Sequence, residues 1–388
     1  MNQVAPFLFL VFFSSFIATH AQIVSIPDAS FKDKLINHIP LIDTNMDGEI
    51  QVSEAEAFTE TIDVSGTSAV PGSISDLTGI EAFVNIEGLA CDYNDITELN
   101  LSSNSALLEV SSSHNMIAAV NLTGNPLLRT LSISENAITN VDLSANTDLF
   151  FFQCNYCNLN TLDLSNNPAL QFLYVQGNAI TSLDLSGNPG LFIVNLDNNQ
   201  LASVDVTGSP LLDFLFCRGN NLQQLDLSNN VNLRRLDCKS NSVLTYINLR
   251  NGNNDQLFID GAQASNFEDL PALETVCLDD AGSPLATYIT TQVGHSVTFI
   301  EDCNLGISEN VAVSFYAYPN PTKGILNIRS HNSVIRVAIY SIQGKLVHSE
   351  EVNANRITLD LSPLNQGIYF LKAYDTFGNR ELRKIIKK

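Results

Sequence analysis

Residues 170–190 read LQFLYVQGNAITSLDLSGNPG, and residues 191–211 read LFIVNLDNNQLASVDVTGSPL. Apolar residues occur at matching places in the two stretches, and a central Asn recurs 21 residues later, at 178 and 199. This place, which we call the marker, is filled in eight successive units by Asn94, Asn115, Asn136, Cys157, Asn178, Asn199, Asn220 and Asn241. A fixed period predicts a solenoid, because units too small to bury their own apolar residues must stack and share one core.

Each unit carries two apolar segments. The segment before the marker alternates and predicts a strand of a parallel sheet, while the later LDLS segment predicts a short extended segment on the opposite face. The marker Asn is expected to turn inward and satisfy backbone groups of the tight turn. The pattern LxxLxLxxNxLxxLDLSxNPx, from residue 86 to about residue 250, resembles the leucine-rich repeat family. The resemblance implies a mainly β solenoid.

Charge is unevenly distributed along the chain. The net charge is −22, yet residues 306–388 carry eleven Lys or Arg against six Asp or Glu. The preceding residues therefore hold 8 basic and 35 acidic side chains. Such an acidic body is repelled by nucleic acid and by anionic membrane surfaces, so we expect neither as a partner.

The N-terminal residues predict export. Residues 6–17 read PFLFLVFFSSFI and are followed by Ala18-Thr19-His20-Ala21, a pattern typical of a secretory signal cleaved before Gln22. The apolar run is too short to span a bilayer, and no later segment has 18 consecutive apolar residues. We expect no integral membrane span in the mature protein.

The seven cysteines fall into two groups. Four of them share the inward column three residues before the marker, where they are expected to be small core hydrophobes: Cys91, Cys154, Cys217 and Cys238. Cys157 replaces the marker Asn. A redox CxxC at 154–157 is disfavoured, since two repeat columns simply fall side by side there. Cys277 and Cys303, outside the repeats, are expected to form a disulfide in an exported protein.

Outward-facing positions lie six, four and two residues before each marker. In units four to seven they carry large apolar side chains, whereas units one to three carry small polar ones. A contiguous exposed apolar surface typically marks an interaction site. The predicted ligand-binding residues are Phe151, Phe172, Tyr174, Ile193, Phe214, Phe216 and Arg218. The chain has no Trp, which favours a protein or peptide ligand over a glycan. Alternatively, the column six residues before each marker lies at the strand edge, partly covered by the adjoining loop.

Residues 43–54 read DTNMDGEIQVSE and match the EF-hand calcium-loop pattern. The expected Ca²⁺ ligands are Asp43, Asn45, Asp47, Glu49 through its backbone carbonyl, Gln51 directly or through water, and Glu54. A single hand resembles the lone calcium loops of extracellular modules, which implies a weakly held structural ion. The alternative is a polar helix–turn–helix cap without an ion. In either case the segment is expected to shield the first coil.

The C-terminal residues contain a second set of motifs. From Tyr318 the sequence reads YPNPTKGILNI, VAIYSIQGKLV and ITLDLSPLNQGIYFLKAYD, and it ends in KIIKK. Apolar and polar residues alternate with period two, which predicts an antiparallel, Ig-like β-sandwich. These blocks resemble the C-terminal sorting domain of the type IX secretion system. The matching residues are Pro319, Asn320, Pro321, Gly324, Gly344, Gly367, Tyr369 and Lys387.

The sorting-domain resemblance implies a Gram-negative bacterium of the Bacteroidetes type. It also implies translocation across the outer membrane by the type IX machinery. Cleavage would follow, with either release or attachment at the cell surface. The alternative is a terminal sandwich that serves adhesion.

Catalytic chemistry is not indicated. Ser113 and His114 are adjacent, but we find no acid in register to complete a triad, and no phosphate-binding Gly loop occurs. We therefore expect a protein that is not an enzyme.

The predicted organisation has six parts. They are a signal peptide (1–21), a helical cap with the calcium loop (22–61), the solenoid (62–260), a C-terminal cap (261–304), a linker (305–313) and the sorting domain (314–388). The predicted function is binding of a protein or peptide through the concave sheet face. The alternative is a structural or adhesive, calcium-stiffened surface spacer without a specific ligand.

Overall fold

The computed structural model describes residues 22–303, 315–342, 344–375 and 380–388. The expected signal peptide (1–21) and linker (305–313) lie outside the described residues. The chain forms two compact units with their boundary between Cys303 and Asn304.

The first unit contains a parallel sheet of nine three-residue strands, which we call the first sheet. Its strands are Thr61–Asp63, Gly88–Ala90, Glu109–Ser111, Thr130–Ser132, Phe151–Gln153, Phe172–Tyr174, Ile193–Asn195, Phe214–Phe216 and Arg235–Asp237. From Gly88 onward the paired residues are 21 apart, as in Phe172 beside Ile193. The predicted leucine-rich-repeat solenoid is confirmed.

The opposite face of the solenoid carries fewer strands. A second parallel sheet comprises Gln224–Asp226, Tyr246–Asn248, Thr275–Cys277 and Thr298–Ile300, and a separate pair comprises Glu98–Asn100 and Ala119–Asn121. Two of these strands belong to residues 261–304, which we expected to form a cap. These residues therefore continue the coils, with an α-helix at Pro284–Val293 between the two strands.

The inward positions of the repeats form one elongated core that runs from the N-terminal helices to the last coil. The marker asparagines satisfy backbone groups, as predicted. The amide of Asn178 donates to the carbonyls of Cys154 and Val175, at 2.8 and 2.9 Å, and its oxygen accepts the N–H of Leu159 at 2.9 Å. Each marker thus joins its own coil to the preceding coil.

The repeat cysteines require a correction. All four columnar cysteines are buried as expected, but Cys154 is not free: it forms a disulfide with Cys157. The reason is geometric, since a marker side chain points at the residue three positions earlier, and the two Cα atoms are 5.7 Å apart. The thiols of Cys91, Cys217 and Cys238 are free and buried. The structure also joins Cys277 to Cys303.

Two short α-helices, Ala29–Ile36 and Val52–Ala57, precede the first strand, and 3₁₀ turns occur at Ile80–Ala82 and Asn254–Gln256. The Asp28 carboxylate caps the first helix by accepting the N–H groups of Ser30 and Phe31. Phe31 and Leu35 are fully buried and belong to the same core as the repeats. The N-terminal segment therefore packs on the solenoid.

The second unit is an antiparallel sheet of five strands: Phe315–Tyr318, Ile325–Ser341, Leu346–Asp360, Gly367–Asp375 and Arg380–Lys387. The second of these strands pairs with the first, third and fourth, and its register shifts between Arg329 and Val334. The unit has its own core, which includes Phe315, Leu326 and Ile385. The predicted antiparallel strands of the C-terminal domain are confirmed; hydrogen bonds join all five in one sheet, and the Ig-like sandwich stays a prediction.

Candidate functional site

The seven predicted ligand-binding residues lie on the outer face of the first sheet. The six apolar residues of this set are half-buried, and Arg218 is exposed. Their strands alternate between one buried central residue and two outward residues, so the aromatic side chains of successive coils line up. Phe151 lies 6.3 Å from Phe172 and 5.6 Å from Tyr174 between ring centroids. These spacings are typical of packed aromatic pairs.

Further aromatic residues, which the sequence reasoning missed, widen this surface. Phe150 and Phe192, seven residues before their markers, contact Phe172 at 5.2 and 6.2 Å between ring centroids. They are 39% and 38% exposed, so they partly cover the outward column yet present apolar surface themselves. Phe258 lies 6.3 Å from Phe214. We call the whole set the aromatic strip: Phe150, Phe151, Phe172, Tyr174, Phe192, Ile193, Phe214, Phe216 and Phe258.

A groove of about 580 Å³ opens beside the aromatic strip. Phe192, Leu211 and Val231 provide apolar walls, and Arg234 and Asp213 lie between them. The amides of Asn253 and Gln256 also line the groove. Apolar walls with a few polar groups are typical of sites that hold a side chain.

Two buried carboxylates beside the aromatic strip each pair with an arginine one period later. Asp197 accepts hydrogen bonds from the Arg218 backbone N–H and guanidinium, both at 2.8 Å. Asp213 accepts two hydrogen bonds from the Arg234 guanidinium, and this raises the pKa of Arg234. Burial raises the pKa of Asp197 despite its contacts with Arg218.

The predicted calcium ligands are only partly brought together. The Asn45 amide donates to Asp47 and Gln51, at 3.1 and 2.9 Å, and the Gln51 amide donates to Asp47 at 3.0 Å. Asp43 accepts the N–H of Gly48 at 2.9 Å, and Gly48 has the positive φ of 80° that the turn requires. Four of the six expected ligands therefore belong to one hydrogen-bonded loop.

The Glu54 carboxylate bonds to the same loop, and Glu49 is expected to act only through its backbone carbonyl. Glu54 accepts the N–H groups of Thr44, Asn45 and Gln51, and these bonds lower the pKa of Glu54. The Glu49 side chain pairs with Lys32 at 2.6 Å, which leaves only its carbonyl as an oxygen donor. Within the described ranges, no three or more His, Cys, Asp and Glu side chains are grouped closely enough to hold a metal. The loop fits calcium in donor chemistry, since it combines the carboxylates of Asp43, Asp47 and Glu54 with amide and carbonyl oxygens.

His114 requires a second correction. We expected no acid in register with Ser113 and His114, but Glu135, one period after His114, lies 3.0 Å from its Nδ1. Tyr93, one period before it, stacks on the imidazole at 4.1 Å between ring centroids. The Ser113 hydroxyl is hydrogen-bonded to Ser132 at 3.1 Å. The cluster is thus a ladder of stacked repeat positions, and its serine is bonded to another serine.

The C-terminal motifs, distant in sequence, meet in the second unit. Asn320 donates to the carbonyl of Lys384 at 2.7 Å and accepts the N–H of Ile386 at 2.9 Å. Lys387 donates to the carbonyl of Lys323 at 2.9 Å, and Gly367 pairs with Lys387 across the sheet. The first block of motifs therefore holds the last strand in place.

Other motif residues have local roles. A Cβ added at Gly324 would meet the Ser362 hydroxyl at 2.4 Å, and Gly344 has a φ of 76° in a strand-joining turn. The Tyr369 hydroxyl donates to Asn365 at 2.9 Å. Pro319 and Pro321 line an open depression of about 600 Å³.

Comparison with known families settles the role of the second unit. Residues 316–388 match the family described as "Secretion system C-terminal sorting domain". This segment is a type IX sorting domain. It marks the chain for export to the outside of a Gram-negative bacterium of the Bacteroidetes type, either secreted or on the outer surface. Within the described residues, no helix is long and apolar enough to cross a bilayer.

Several solved structures are similar to this chain. An internalin, InlF, from Listeria monocytogenes is 20% identical, with a TM-score of 0.46, and the match covers 67% of this chain and 85% of that chain. The functional domain of InlJ from Listeria monocytogenes is 19% identical, with a TM-score of 0.37, over 95% of this chain and 98% of that chain. A leucine-rich-repeat protein of Leptospira interrogans is 13% identical, with a TM-score of 0.41, over 59% and 82% respectively.

These similarities indicate nothing about a ligand. No curated protein matches the sequence.

Proposed function

We propose that this exported leucine-rich-repeat protein binds a protein or peptide partner through the aromatic strip. The observation that carries the proposal is the continuity of the strip across neighbouring coils. Phe172 alone contacts Phe150, Phe151 and Phe192, and all four rings are partly exposed. A surface of this kind keeps large apolar area in contact with water, and a partner that covers it gains the hydrophobic free energy.

The chemistry of the strip favours a peptide segment. Phe, Tyr and Arg are residue types that are enriched at protein interfaces. The adjoining groove combines apolar walls with the amides of Asn253 and Gln256, which can bond to a peptide backbone. Within the described residues, the strip and groove contain no acid and base arranged as a catalytic pair. We therefore propose a binding role.

We further propose that Ca²⁺ is held at residues 43–54 as a structural ion. The support is the donor set and the loop conformation: Asp43, Asn45 and Asp47 lie on the turn at Gly48, and Gln51 is bonded to Asn45 and Asp47. Asp43, Asn45, Asp47, Gln51, Glu54 and the Glu49 carbonyl would hold the ion. When bound, the ion supplies charge compensation and ties the loop to the helix at Val52–Ala57.

The binding proposal is tested by selection from a phage-displayed random dodecamer library on the purified chain. Peptides that are enriched are then titrated against the wild type, Phe172→Ser and Leu127→Ser. Leu127 is 48% exposed and lies outside the aromatic strip, so it is the matched control. We expect Phe172→Ser to weaken binding about tenfold or more, as for a hot-spot residue, and Leu127→Ser to leave it unchanged. Equal binding by all three proteins would place the peptide site elsewhere, and a selection that enriches no peptide would favour the surface-spacer role instead.

A further inference from the structure

Arg234 and Arg235 are neighbours on the face of the first sheet, yet their charges are compensated differently. The Arg234 guanidinium is bonded to both carboxylate oxygens of Asp213 and lies 5.9 and 5.7 Å from the ring centroids of Phe214 and Phe258. Arg235 forms no ion pair with a carboxylate in the part of the chain that the structure describes. Asp237, two residues later, interacts with Arg235 electrostatically but does not pair with it, so the guanidinium keeps donors for an external partner.

The Arg235 side chain is held in a fixed position. Its guanidinium carbon lies 4.8 Å from the centroid of the Phe216 ring, a cation–π contact that restrains the plane of the guanidinium. Its Nε is buried and has no hydrogen-bond acceptor. Because the Nε is closed off from solvent in this conformation, an external carboxylate would bind the terminal guanidinium nitrogens.

Surrounding charges limit which anion can bind. Asp213 and Asp237 are buried on the same face, and Asp237 occupies the next outward position of the Arg235 strand. The residues before 306 also carry a large excess of acids. A dianion such as phosphate is repelled by these groups more strongly than a monoanion is. A carboxylate has the single charge and the planar pair of oxygens that match a guanidinium.

We propose that Arg235 binds a carboxylate of the partner, and that the partner is a peptide segment with one Asp or Glu flanked by aromatic or aliphatic residues. The flanking residues lie on the aromatic strip beside Phe214 and Phe216. This inference rests on the proposed binding function and specifies the chemistry of its ligand. It also explains why an acidic protein keeps an arginine without a direct ion-pair partner on its apolar face.

The test uses the phage-displayed random dodecamer library on the wild-type chain, Arg235→Gln, Arg235→Lys and Arg250→Gln. Arg250 is exposed outside the strip and is the matched control. We expect Asp or Glu to be enriched at one position between apolar residues on the wild type and on Arg250→Gln. On Arg235→Gln the apolar enrichment should remain and the acidic enrichment should disappear. Arg235→Lys keeps the charge but loses the planar fork, so it should give an intermediate preference.

A selected peptide and its counterpart with the acid changed to the amide provide the quantitative arm. On the wild type the amide peptide should bind about tenfold or more weakly, as expected for a charged hydrogen bond, and on Arg235→Gln the two should bind within about twofold. The inference would be overturned if the selected peptides depend on the aromatic strip but show no preference for an acid, or if that preference survives Arg235→Gln. Either result would leave the binding function intact. Absence of any peptide that depends on Phe172 would overturn both. Thermal melting of each variant confirms that it is folded.

Discussion

The carboxylate of Asp197 is bonded to both the backbone N–H and the guanidinium of Arg218, each at 2.8 Å, on the sheet face beside the aromatic strip. Two bonds from one residue orient Arg218 along the face and leave its guanidinium partly exposed. The Asp197 carboxylate is almost completely buried, and this burial outweighs the two bonds and raises the pKa of Asp197 above 3.8. The ion pair therefore orders the surface at some cost in stability.

This cost predicts a pH dependence of stability. The folded state retains the Asp197 proton at pH values where the unfolded chain has lost it, so the contribution of Asp197 to folding falls as pH rises from 3.8 through its raised pKa. We expect the stability of the wild type relative to Asp197→Asn to fall as pH rises from about 3 to about 7. Urea denaturation of both proteins at a series of pH values measures this difference.

Asp163 provides the opposite control. Hydrogen bonds from Ser165 lower the pKa of Asp163. Its stabilising contribution to folding is therefore present above pH 3.8 and is lost as the pH falls through the lowered pKa. The stability of the wild type relative to Asp163→Asn should therefore rise over the same pH range. Parallel pH profiles for the two variants would contradict this electrostatic account.

The marker in unit four predicts a difference between two replacements of Cys157. Both Cys157→Ala and Cys157→Asn remove the disulfide, which lowers the free energy of unfolding by about 2 kcal/mol for so short a loop. The asparagine, however, restores an amide N–H₂ donor for the carbonyls of Ile133 and Cys154 and an amide oxygen that accepts a backbone N–H. The donor group and the acceptor group each contribute about 1 kcal/mol to the free energy of unfolding. We expect Cys157→Asn to be more stable than Cys157→Ala by about 2 kcal/mol in urea denaturation. Equal stability would show that the marker hydrogen bonds contribute nothing.

Thiol reactivity tests the cysteine assignment. Cys91, Cys217 and Cys238 are free and buried, and burial raises the pKa of Cys91 to about 12. The native protein should therefore resist alkylation at about pH 8, since the thiolate is the reactive form. Unfolding without a reductant should release three reactive thiols, and unfolding with a reductant should release seven. Five thiols in the unreduced, unfolded chain would contradict one of the two disulfides.

The calcium loop predicts a ligand-dependent melting temperature. Because an ion that binds only the folded state must stabilise it, Ca²⁺ at millimolar concentration should raise the melting temperature relative to chelator. Asp43→Ala should abolish the shift, while Asp95→Ala, an exposed acid outside the loop, should preserve it. Identical curves for the wild type with Ca²⁺ and with chelator would reduce the loop to a polar cap.

The contact between the first and last sorting motifs predicts a local effect. Asn320→Ala removes two hydrogen bonds to the last strand and should destabilise the sorting domain by about 1–3 kcal/mol. Asn320→Asp keeps the acceptor for Ile386 and should cost less. Amide hydrogen exchange at Ile386 measures both effects. Unchanged protection in Asn320→Ala would mean that strand pairing alone holds this end.

Much of the fold could be predicted from the sequence because its period is fixed. Once Asn178 and Asn199 define the 21-residue spacing, inward and outward positions follow from strand alternation. The same rule explains what was missed: Phe150 and Phe192 precede their strands, so alternation within the strand says nothing about them. Cys154 and Cys157 were assigned to separate columns, although the marker side chain points at the residue three positions earlier.

The pairing of charges could not be predicted from the repeat either. Asp213 and Arg234 occupy the same column one period apart, yet only the packed coils show that they bind each other and that Arg235 does not find such a partner among the described residues. Likewise, the EF-hand pattern places six oxygen donors in sequence, but the hydrogen bonds of Glu54 to backbone N–H groups become evident only in the folded loop.

Hydroxyl-radical footprinting of the chain, with and without a library-selected peptide, tests the central claim most directly. Binding through the aromatic strip should reduce oxidation of Phe150 and Phe192, which are 39% and 38% exposed. Oxidation of Met46 and Met116, which are 74% and 53% exposed and lie outside the strip, should stay the same. Protection at the methionines with unchanged oxidation of Phe150 and Phe192 would place the binding surface elsewhere and contradict the account.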